Sequence, residues 1–249
     1  MSSSLFEGKA ALVTGAGGGI GRAAAIAFAQ EGASVMVADV NAAGCEETVS
    51  LIRAAGGTAE FMLCNVTQEN EVAALVAGTV AKFGRLDSAF NNAGISTSKP
   101  EINMDDFRRV IDINLMGVAY GLKYQIEHML AHGGGTIVNT ASIAGLSGAG
   151  TLEYCASKHA VIGMTRSGAL RYARQGVRIN AVCPGVIETP MTMPLTKDPA
   201  MKAHLDAMCP IGRMGQASEI ADAVIWLCSP KSSFVTGQAL AVDGGFMCR

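Results

Sequence analysis

A tyrosine and a lysine stand four residues apart, at Tyr154 and Lys158, within a stretch of helical pattern. Side chains at positions i and i+4 share one face of a helix, so the phenol and the ammonium group point the same way. A tyrosine with an unperturbed pKa of about 10 is a poor base at neutral pH, but a nearby cation favours the phenolate and lowers that pKa. The pair can therefore act as a general acid and base toward an alcohol oxygen. The same spacing also occurs in helices that have no catalytic role.

Ser142 precedes Tyr154 by 12 residues and follows a short predicted strand. In doubly wound sheets, ligands bind beyond the carboxyl ends of the strands. The glycine-rich turn and several other residues also fall at predicted strand ends, so we expect one shared crevice. These other positions are Asp39, Asn65, Asn91 and Pro184. Taken alone, Ser142 would equally fit a cap or a turn.

A glycine-rich turn separates the first apolar run, residues 10–13, from a helical pattern. Glycines allow positive φ and the close approach of a ligand, and the free N–H groups of a helix N-terminus form an anion site, most often for a diphosphate. Gly19, Gly21 and Ala24 match the dinucleotide-binding fingerprint in its relaxed form. A purely structural turn is the alternative.

The context of this turn favours dinucleotide binding. Asp39 ends the second apolar run, 20 residues after Gly19. A carboxylate at such a position accepts hydrogen bonds from both adenosine ribose hydroxyls and repels a 2′-phosphate. The pattern therefore predicts NAD rather than NADP. A solvated residue at a strand end is the other interpretation of Asp39.

The composition excludes several classes of protein. Hydrophobic residues make up 49% and charged residues 16%, which is little charge for a soluble monomer and predicts apolar surface between subunits. The net charge of −2, without a basic block, argues against nucleic acid and anionic membranes. The chain shows neither a signal peptide nor an apolar run of the roughly 18 residues needed to span a bilayer. Seven scattered cysteines and four histidines without ligand spacing predict a cytoplasmic protein that holds no metal.

Strand and helix patterns alternate along the chain, which predicts an α/β fold in which one doubly wound parallel sheet carries helices on both faces. We expect one NAD-binding Rossmann domain over residues 1–249. Strands are predicted at 10–13, 35–40, 58–64, 86–90, 136–139, 177–182 and 239–242. Helices are predicted at 22–32, 41–55, 67–83 with Thr67 as N-cap, 104–132, 151–175 and 218–229 with Ser218 as cap.

Two of these segments have special features. The 104–132 helix exceeds usual lengths and is expected to be broken. Asn114 falls in its apolar stripe, where a buried amide must find partners; it could satisfy backbone groups at a kink or hold a water in a proton path. Residues 190–215 hold prolines and several methionines, and they predict a mobile flap that roofs the substrate pocket.

In their order, these motifs resemble the short-chain dehydrogenase/reductase family over residues 9–245. The motifs are Thr14-Gly15-xxx-Gly19-x-Gly21, Asn91-Asn92-Ala93-Gly94, Asn114, Ser142, Tyr154-xxx-Lys158, Pro184-Gly185-xxx-Thr189 and Val242-Asp243-Gly244-Gly245. The resemblance implies an NAD-dependent oxidoreductase that interconverts a secondary alcohol and a ketone by hydride transfer. It also implies a homotetramer.

The resemblance assigns roles to individual residues. Tyr154 would be the catalytic acid/base, and Lys158 would bind the nicotinamide ribose and lower the tyrosine pKa. Ser142 would bond the substrate oxygen, and Asn114 would hold a water that links Lys158 to solvent. Besides Tyr154 and Lys158, the implied cofactor contacts are Gly15, Gly18, Gly19, Ile20, Gly21, Asp39, Asn65, Val66, Asn91, Ala93, Gly94, Pro184, Gly185, Ile187 and Thr189.

Two positions bear on the cofactor. Asn65 stands where the family usually has Asp, and its amide oxygen is expected to reach the adenine amino group. Gly18 stands where NADP-preferring members often carry a basic residue, which again favours NAD.

The sequence says less about the substrate. Few charges, chiefly Glu153 and Glu188, are expected near the pocket, which favours a neutral and conceivably cyclic secondary alcohol. A sugar, a steroid or an acyl thioester stays open. The rival functions are a catalytically silent dinucleotide-binding regulator and an epimerase or dehydratase, although the latter usually carry a larger substrate domain.

Overall fold

The computed structural model describes residues 4–97 and 101–248, and it contains the predicted doubly wound parallel sheet. The strands are β1 (Ala10–Thr14), β2 (Ser34–Asp39), β3 (Thr58–Leu63), β4 (Ser88–Asn91), β5 (Gly135–Thr140), β6 (Val177–Pro184), β7 (Ile187–Glu188), β8 (Gly215–Gln216) and β9 (Ala239–Val242). Seven of them run in the order β3-β2-β1-β4-β5-β6-β9, and β7 and β8 form a separate parallel pair. The α-helices are α1 (Gly19–Gln30), α2 (Ala42–Ala54), α3 (Glu69–Phe83), α4 (Met104–Ile111), α5 (Gly117–Ala131), α6 (Leu152–Tyr172), α7 (Met193–Thr196), α8 (Pro199–Met208) and α9 (Ala217–Cys228).

The strand order reverses between β1 and β4. Strands β2 and β3 are added on one side of β1, and β4 and the following strands of this sheet lie on the other side. Such a reversal opens a crevice at the carboxyl ends of the strands, where ligands of this fold bind. The carboxyl end of β1 leads directly into the glycine-rich turn. The topology therefore places that turn at the crevice.

Successive strand residues face opposite sides of the sheet, and each side has its own apolar core. Val13 packs with Phe28 of α1 and Val224 of α9 on one side. Leu12 packs with Val118 of α5 and Val161 of α6 on the other. Because both faces are covered by helices, the central strands are continuous apolar runs rather than alternating ones.

Helix α1 begins at Gly19, three residues earlier than predicted, and it rests directly on the turn before it. A side chain at Gly21 would place its Cβ 2.1 Å from the carbonyl oxygen of Gly15. Only a residue without a Cβ allows this approach. Gly21 thus sets the distance between the helix and the turn.

Two predicted helix caps are wrong. The N-cap of α3 is Gln68 rather than Thr67, whose N–H and hydroxyl both bond Oδ1 of Asn65, at 3.1 and 2.9 Å. The N-cap of α9 is Gln216 rather than Ser218. The N–H of Gln216 donates to the Glu219 side chain at 2.7 Å, which is one half of a capping box.

The predicted break in the long helix is confirmed. Helices α4 and α5 are joined by a π-helical turn, Asp112–Met116, and Asn114 lies in it with no exposed surface. A π-turn inserts one residue into the helical repeat. The insertion allows Asn114 to face inward between the apolar positions of its neighbours.

A chain of buried polar side chains crosses the core between α5, β4, β5 and α6. Asn91 exchanges two hydrogen bonds with Gln125, at 3.0 and 2.7 Å, and donates to Asn139 at 3.0 Å. Asn139 in turn donates to the Thr165 hydroxyl at 3.0 Å, and that hydroxyl donates to the carbonyl of Val161 at 2.9 Å. All four polar side chains are at most 4% exposed. We call this chain the amide network.

Candidate active site

One cleft of about 490 Å³ lies at the carboxyl ends of the central strands. Residues from the glycine-rich turn, from the ends of β2, β3, β4 and β5, and from the start of the 190–215 segment line it. Ser142, Tyr154 and Lys158 share it with all but two of the predicted cofactor contacts. The exceptions are Gly21 and Asn91: the first packs against Gly15, and the second belongs to the amide network. The strand-end residues Asp39, Asn65, Ser142 and Pro184 thus share one cleft, whereas the contacts of Gly21 and Asn91 with a cofactor remain predictions.

The glycine-rich turn fits an anionic group. The N-cap of α1, Gly18, has no side chain to cap the helix, so the first N–H groups of α1 are left for a ligand. Gly15 and Gly19 have φ values of 64° and 52°, which side chains disfavour. The uncapped helix start and the bare turn form a cradle for the diphosphate of a dinucleotide.

Asp39 is joined to this turn. Its carboxylate accepts the N–H of Gly17 at 2.9 Å through one oxygen and the N–H of Asn41 at 3.1 Å through the other. These bonds hold the carboxylate at the cleft wall, where it contributes a negative charge. Arg22, in the first turn of α1, does not neutralise that charge, because its guanidinium bonds the Gly17 carbonyl at 2.7 Å and Glu47 at 2.6 Å.

The side chain of Asn65 is oriented differently from expectation. Its Oδ1 accepts from both the N–H and the hydroxyl of Thr67, at 3.1 and 2.9 Å. The oxygen that was expected to reach an adenine amino group is therefore occupied. The amide can offer only its Nδ2 donor to the cleft.

Tyr154 and Lys158 lie one turn apart at the start of α6. The ammonium of Lys158 is 5.5 Å from the centre of the Tyr154 ring and donates to the carbonyl of Thr140 at 2.8 Å. Lys158 is 3% exposed, and this burial lowers its pKa to about 8.

The pKa of Tyr154 differs from the expectation based on the nearby cation. Burial raises the pKa of the Tyr154 phenol, and a hydrogen bond with the Ser142 side chain partly offsets that rise. Desolvation of the phenolate is the largest cause of this rise, so burial opposes the lowering of the pKa that we expected from Lys158. The buried tyrosine is a proton donor at neutral pH.

Asn114 does not line the cleft, and its amide is bound by protein groups. Its Oδ1 accepts the N–H of Ile95 at 2.8 Å, and its Nδ2 donates to the Ile95 carbonyl at 2.9 Å and to the Ser157 hydroxyl at 3.2 Å. Both amide hydrogens are used, which supports the first interpretation, a side chain that satisfies backbone groups. The predicted water of a proton path could reach this side chain only at Oδ1.

The segment after β7 closes one end of the cleft. The hydroxyl of Thr192 donates to the Ile187 carbonyl at 2.7 Å and accepts the N–H of Thr189 at 3.0 Å. Pro190 lies over the glycine-rich turn, 3.4 Å from where a Cβ of Gly19 would be. Thr192 therefore ties together Ile187 and Thr189, two of the predicted cofactor contacts.

The 190–215 segment forms a smaller roof than predicted. It contains the short helices α7 and α8, and α8 begins with the N-cap Asp198 followed by Pro199. Of its apolar residues, Met191 lines the cleft, Leu205 is buried, and Met193, Leu195 and Met201 are exposed.

The charges of the cleft are few. Among its described lining residues, only Asp39 and Lys158 are charged; the first ends β2 and the second lies on α6. Glu153 is 6% exposed and accepts a hydrogen bond from Thr97, and Glu188 accepts from Gln216 at 2.8 Å. Neither glutamate lines the cleft, although the sequence led us to expect both near the pocket.

Comparison with known proteins places this site in a family. A family model described as enoyl-(acyl carrier protein) reductase matches residues 15–247. Cyclohexanol dehydrogenase of Acinetobacter sp. is 45% identical over 248 residues, 98% of this chain and 97% of its own. The 2,5-dichloro-2,5-cyclohexadiene-1,4-diol dehydrogenase of Sphingobium indicum is 45% identical over 247 residues, 97% of this chain and 98% of its own.

A solved structure gives the same result. It comes from Beutenbergia cavernae, carries a provisional assignment as an NAD(P)-dependent gluconate 5-dehydrogenase, and holds NADP at low occupancy. It is 35% identical, covers 100% of both chains and superposes with a TM-score of 0.93. The chain belongs to the short-chain dehydrogenase/reductase family. This membership confirms the predicted fold and the predicted oxidoreductase class with an NAD(P) cofactor.

Several residues of this short-chain dehydrogenase site were not found from the sequence. Ile95, Ile113 and Thr140 all line the cleft. Asn92, part of the Asn91-Asn92-Ala93-Gly94 motif, donates to the carbonyl of Thr14 at 3.1 Å, which fixes the loop after β4 to the glycine-rich turn.

Proposed function

We propose that this protein interconverts a neutral cyclic secondary alcohol and its ketone with NAD as the hydride acceptor. The observation that carries the proposal is the absence of charge at the substrate end of the cleft: among the lining residues in the described chain, Lys158 is the charged group beside Tyr154. Two relatives at 45% identity are named for ring alcohols, cyclohexanol and a cyclohexadienediol. An uncharged pocket wall is compatible with both cyclic and linear alcohols, and the names of the relatives favour a cyclic alcohol.

The residues present fit a nicotinamide dinucleotide. The uncapped start of α1 would hold the diphosphate, Asp39 the adenosine ribose, and Val66 one edge of the adenine ring. Lys158 would bind the nicotinamide ribose, and Ile187 and Thr189 would bind the carboxamide. The bound cofactor supplies the hydride chemistry, for which the protein needs no redox group of its own.

The proton chemistry would fall to the side chains of the cleft. Tyr154 exchanges a proton with the substrate oxygen, as a donor in ketone reduction and as an acceptor in alcohol oxidation. Ser142, which already bonds Tyr154, orients that oxygen. Lys158 stabilises the phenolate as it forms, because its charge is held nearby in a water-poor site. Orientation of the substrate against the cofactor would supply much of the rate acceleration.

Asp39 supports NAD over NADP. Its fixed carboxylate would face the 2′ position of the ribose, and Arg22 is already paired with Glu47. Gly18 offers no positive charge at the turn. A structural relative holds NADP, so the preference here depends on these side chains rather than on the fold.

The remaining assignments are part of the same proposal. The protein is a cytoplasmic homotetramer of single-domain subunits. The low charged fraction of the sequence supports the tetramer. Exposed apolar side chains support it too: Leu170 and Phe234 have relative solvent exposures of 88% and 103%. Among the described residues, no helix is long and apolar enough to cross a bilayer. A single sharp peak at the mass of a monomer in size-exclusion chromatography with light scattering would contradict the assembly.

The decisive experiment mixes the purified protein with NAD and a substrate panel and follows the near-ultraviolet absorbance of the reduced nicotinamide. The panel holds cyclohexanol, a linear secondary alcohol, 4-hydroxycyclohexanecarboxylate, a sugar, a hydroxysteroid and a 3-hydroxyacyl thioester. We expect the highest kcat/KM for cyclohexanol. Preference for the carboxylate or the thioester would overturn the neutral-ring proposal, and binding of NAD without turnover of any alcohol would favour the silent regulator.

A further inference from the structure

We propose that Glu153 is a positioning residue that clamps the loop after β4 to the first turn of α6, beside the catalytic tyrosine. The inference rests on the proposed function, because its consequence is the shape of the substrate end of the cleft. Glu153 does not line the cleft and touches no reacting atom. It acts through Thr97, two residues beyond the cleft-lining Ile95.

The clamp consists of one carboxylate and two hydroxyls. The Thr97 hydroxyl donates to Oε1 of Glu153, and the hydroxyls of Thr97 and Thr151 lie 3.2 Å apart. Thr151 also hydrogen-bonds Glu153, and the two threonines together lower the pKa of the glutamate. Glu153 is 6% exposed, and it lies in the first turn of α6, where the helix dipole favours a negative charge. A buried carboxylate in this position is satisfied, and its charge is kept out of the cleft.

The rest of the loop is held by other groups. The N–H groups of Asn92 and Ala93 donate to the Thr14 hydroxyl at 3.0 and 3.2 Å. Asn114 binds both backbone groups of Ile95. Neither set involves Glu153. The loop as far as Ile95 is therefore fixed independently of Glu153, and the clamp holds the two residues beyond it, Ser96 and Thr97.

Because the two parts of the loop are held by different groups, loss of the Glu153 clamp should change the affinity for one substrate and not for the other. Loss of the clamp frees the wall next to Tyr154 while the contacts of Asn92 and Ala93 with the glycine-rich turn remain. The affinity for the alcohol should fall, whereas the affinity for NAD should not. A residue that only stabilised the fold would affect both together.

The test compares Glu153→Ala, Glu153→Gln, Thr97→Val and Thr97→Ser. We expect Glu153→Ala and Thr97→Val each to raise KM for the alcohol about tenfold, since each breaks a hydrogen bond to a charged group. NAD binding, measured by titration without turnover, should stay within about twofold. Glu153→Gln and Thr97→Ser keep an acceptor and a hydroxyl, so they should recover most of the affinity. The double variant Thr97→Val/Glu153→Ala should be no worse than either single one, because both remove the same contact.

Glu46→Gln, at an exposed glutamate on α2, is the matched control and should leave both constants unchanged. Amide hydrogen exchange gives a second readout that needs no substrate: Glu153→Ala should speed exchange near Thr97 and leave residues 92–94 protected. An unchanged alcohol KM in Glu153→Ala, or equal losses for alcohol and NAD, would overturn the clamp. If the wild type oxidises no alcohol, the proposed function fails, and the exchange experiment still decides whether Glu153 holds the loop.

Discussion

The carboxylate of Asp39 and the backbone N–H of Gly17 are joined by a 2.9 Å hydrogen bond, which connects the end of β2 to the glycine-rich turn. The carboxylate is therefore fixed before any cofactor arrives. Its charge, rather than its hydrogen bonding alone, should decide between the two nicotinamide cofactors.

Asp39→Asn tests the charge, because the amide keeps an oxygen that can accept from Gly17. We expect the ratio of kcat/KM for NAD over NADP to fall by about tenfold to a hundredfold as like-charge repulsion is removed. Asp39→Ala should lower the ratio further by also weakening NAD. The measurement is kcat/KM with each cofactor at saturating alcohol, and a wild type that already prefers NADP would refute the argument.

Tyr154→Phe should reduce turnover by about a thousandfold, because general acid–base catalysis contributes roughly that factor. NAD binding should change little, since the ring and its packing remain. Tyr172→Phe, at the other end of the same helix, is the control and should retain full activity. Substantial activity in Tyr154→Phe would mean that another group moves the proton.

The pH dependence should follow the raised pKa of Tyr154. Oxidation needs the phenolate, so kcat/KM for the alcohol should rise with pH above neutrality, whereas ketone reduction needs the phenol and should fall only as the pH approaches the raised pKa. Ser142→Ala removes the hydrogen bond that lowers the Tyr154 pKa. Its oxidation profile should therefore rise at higher pH than that of the wild type, besides having a smaller maximum. A profile that moves to lower pH in Ser142→Ala would contradict this assignment.

Lys158→Met should abolish most activity and yet not destabilise the fold. Burial lowers the pKa of Lys158 to about 8, so keeping it charged below that pH opposes folding. An apolar side chain of similar length avoids this cost, for a gain of about 0 to 3 kcal/mol at neutral pH. Near pH 10.5 the lysine is neutral in the folded protein and half neutral in the unfolded chain, so the gain should shrink. Urea unfolding of the wild type and of Lys158→Met, at neutral pH and near pH 10.5, measures this gain in the free energy of unfolding. A large destabilisation of the variant at neutral pH would contradict the prediction.

Gly21→Ala should lower both stability and cofactor affinity. Its Cβ would lie 2.1 Å from the Gly15 carbonyl oxygen, so either α1 or the turn must move, at a cost of about 1 to 3 kcal/mol. Gly163→Ala is the matched control, because no atom lies within 4 Å of the added Cβ in the middle of α6. That control should stabilise the protein by about 0.5 to 1 kcal/mol. Thermal unfolding and NAD titration of both variants test the contrast.

The fold and the location of the cleft could be predicted because they depend on local signals. The apolar run of β1, the glycines after it, and the four-residue spacing of Tyr154 and Lys158 can all be read along the chain. A break in the long helix could also be anticipated, since a continuous helix over residues 104–132 would exceed the usual length.

Other features depended on contacts between distant segments. The true partner of Glu153 is Thr97, 56 residues away, and no sequence spacing indicates that pair. The resemblance assigned Asn91 to the cofactor, whereas its side chain bonds Gln125 in the amide network. A strand of four residues does not reveal from sequence which face of the sheet each side chain takes. The desolvation that raises the pKa of Tyr154 is likewise a property of the whole packed site. The start of α8, in contrast, could have been predicted from local sequence. Asp198-Pro199 is a helix N-terminal signal, and the interpretation of residues 190–215 as a flap did not use it.

The amide network also bears on how the chain reaches its native arrangement. Asn91, Gln125, Asn139 and Thr165 satisfy one another only when β4 and β5 pair in register and both flanking helices are docked. A sheet assembled with β5 shifted by one residue would turn Asn139 to the opposite face and leave desolvated amides without partners, each at a penalty of about 1 to 3 kcal/mol. Apolar contacts alone tolerate such errors more easily. The network therefore disfavours a shifted register of β5 relative to the native one, and the position of the cleft depends on that native strand alignment.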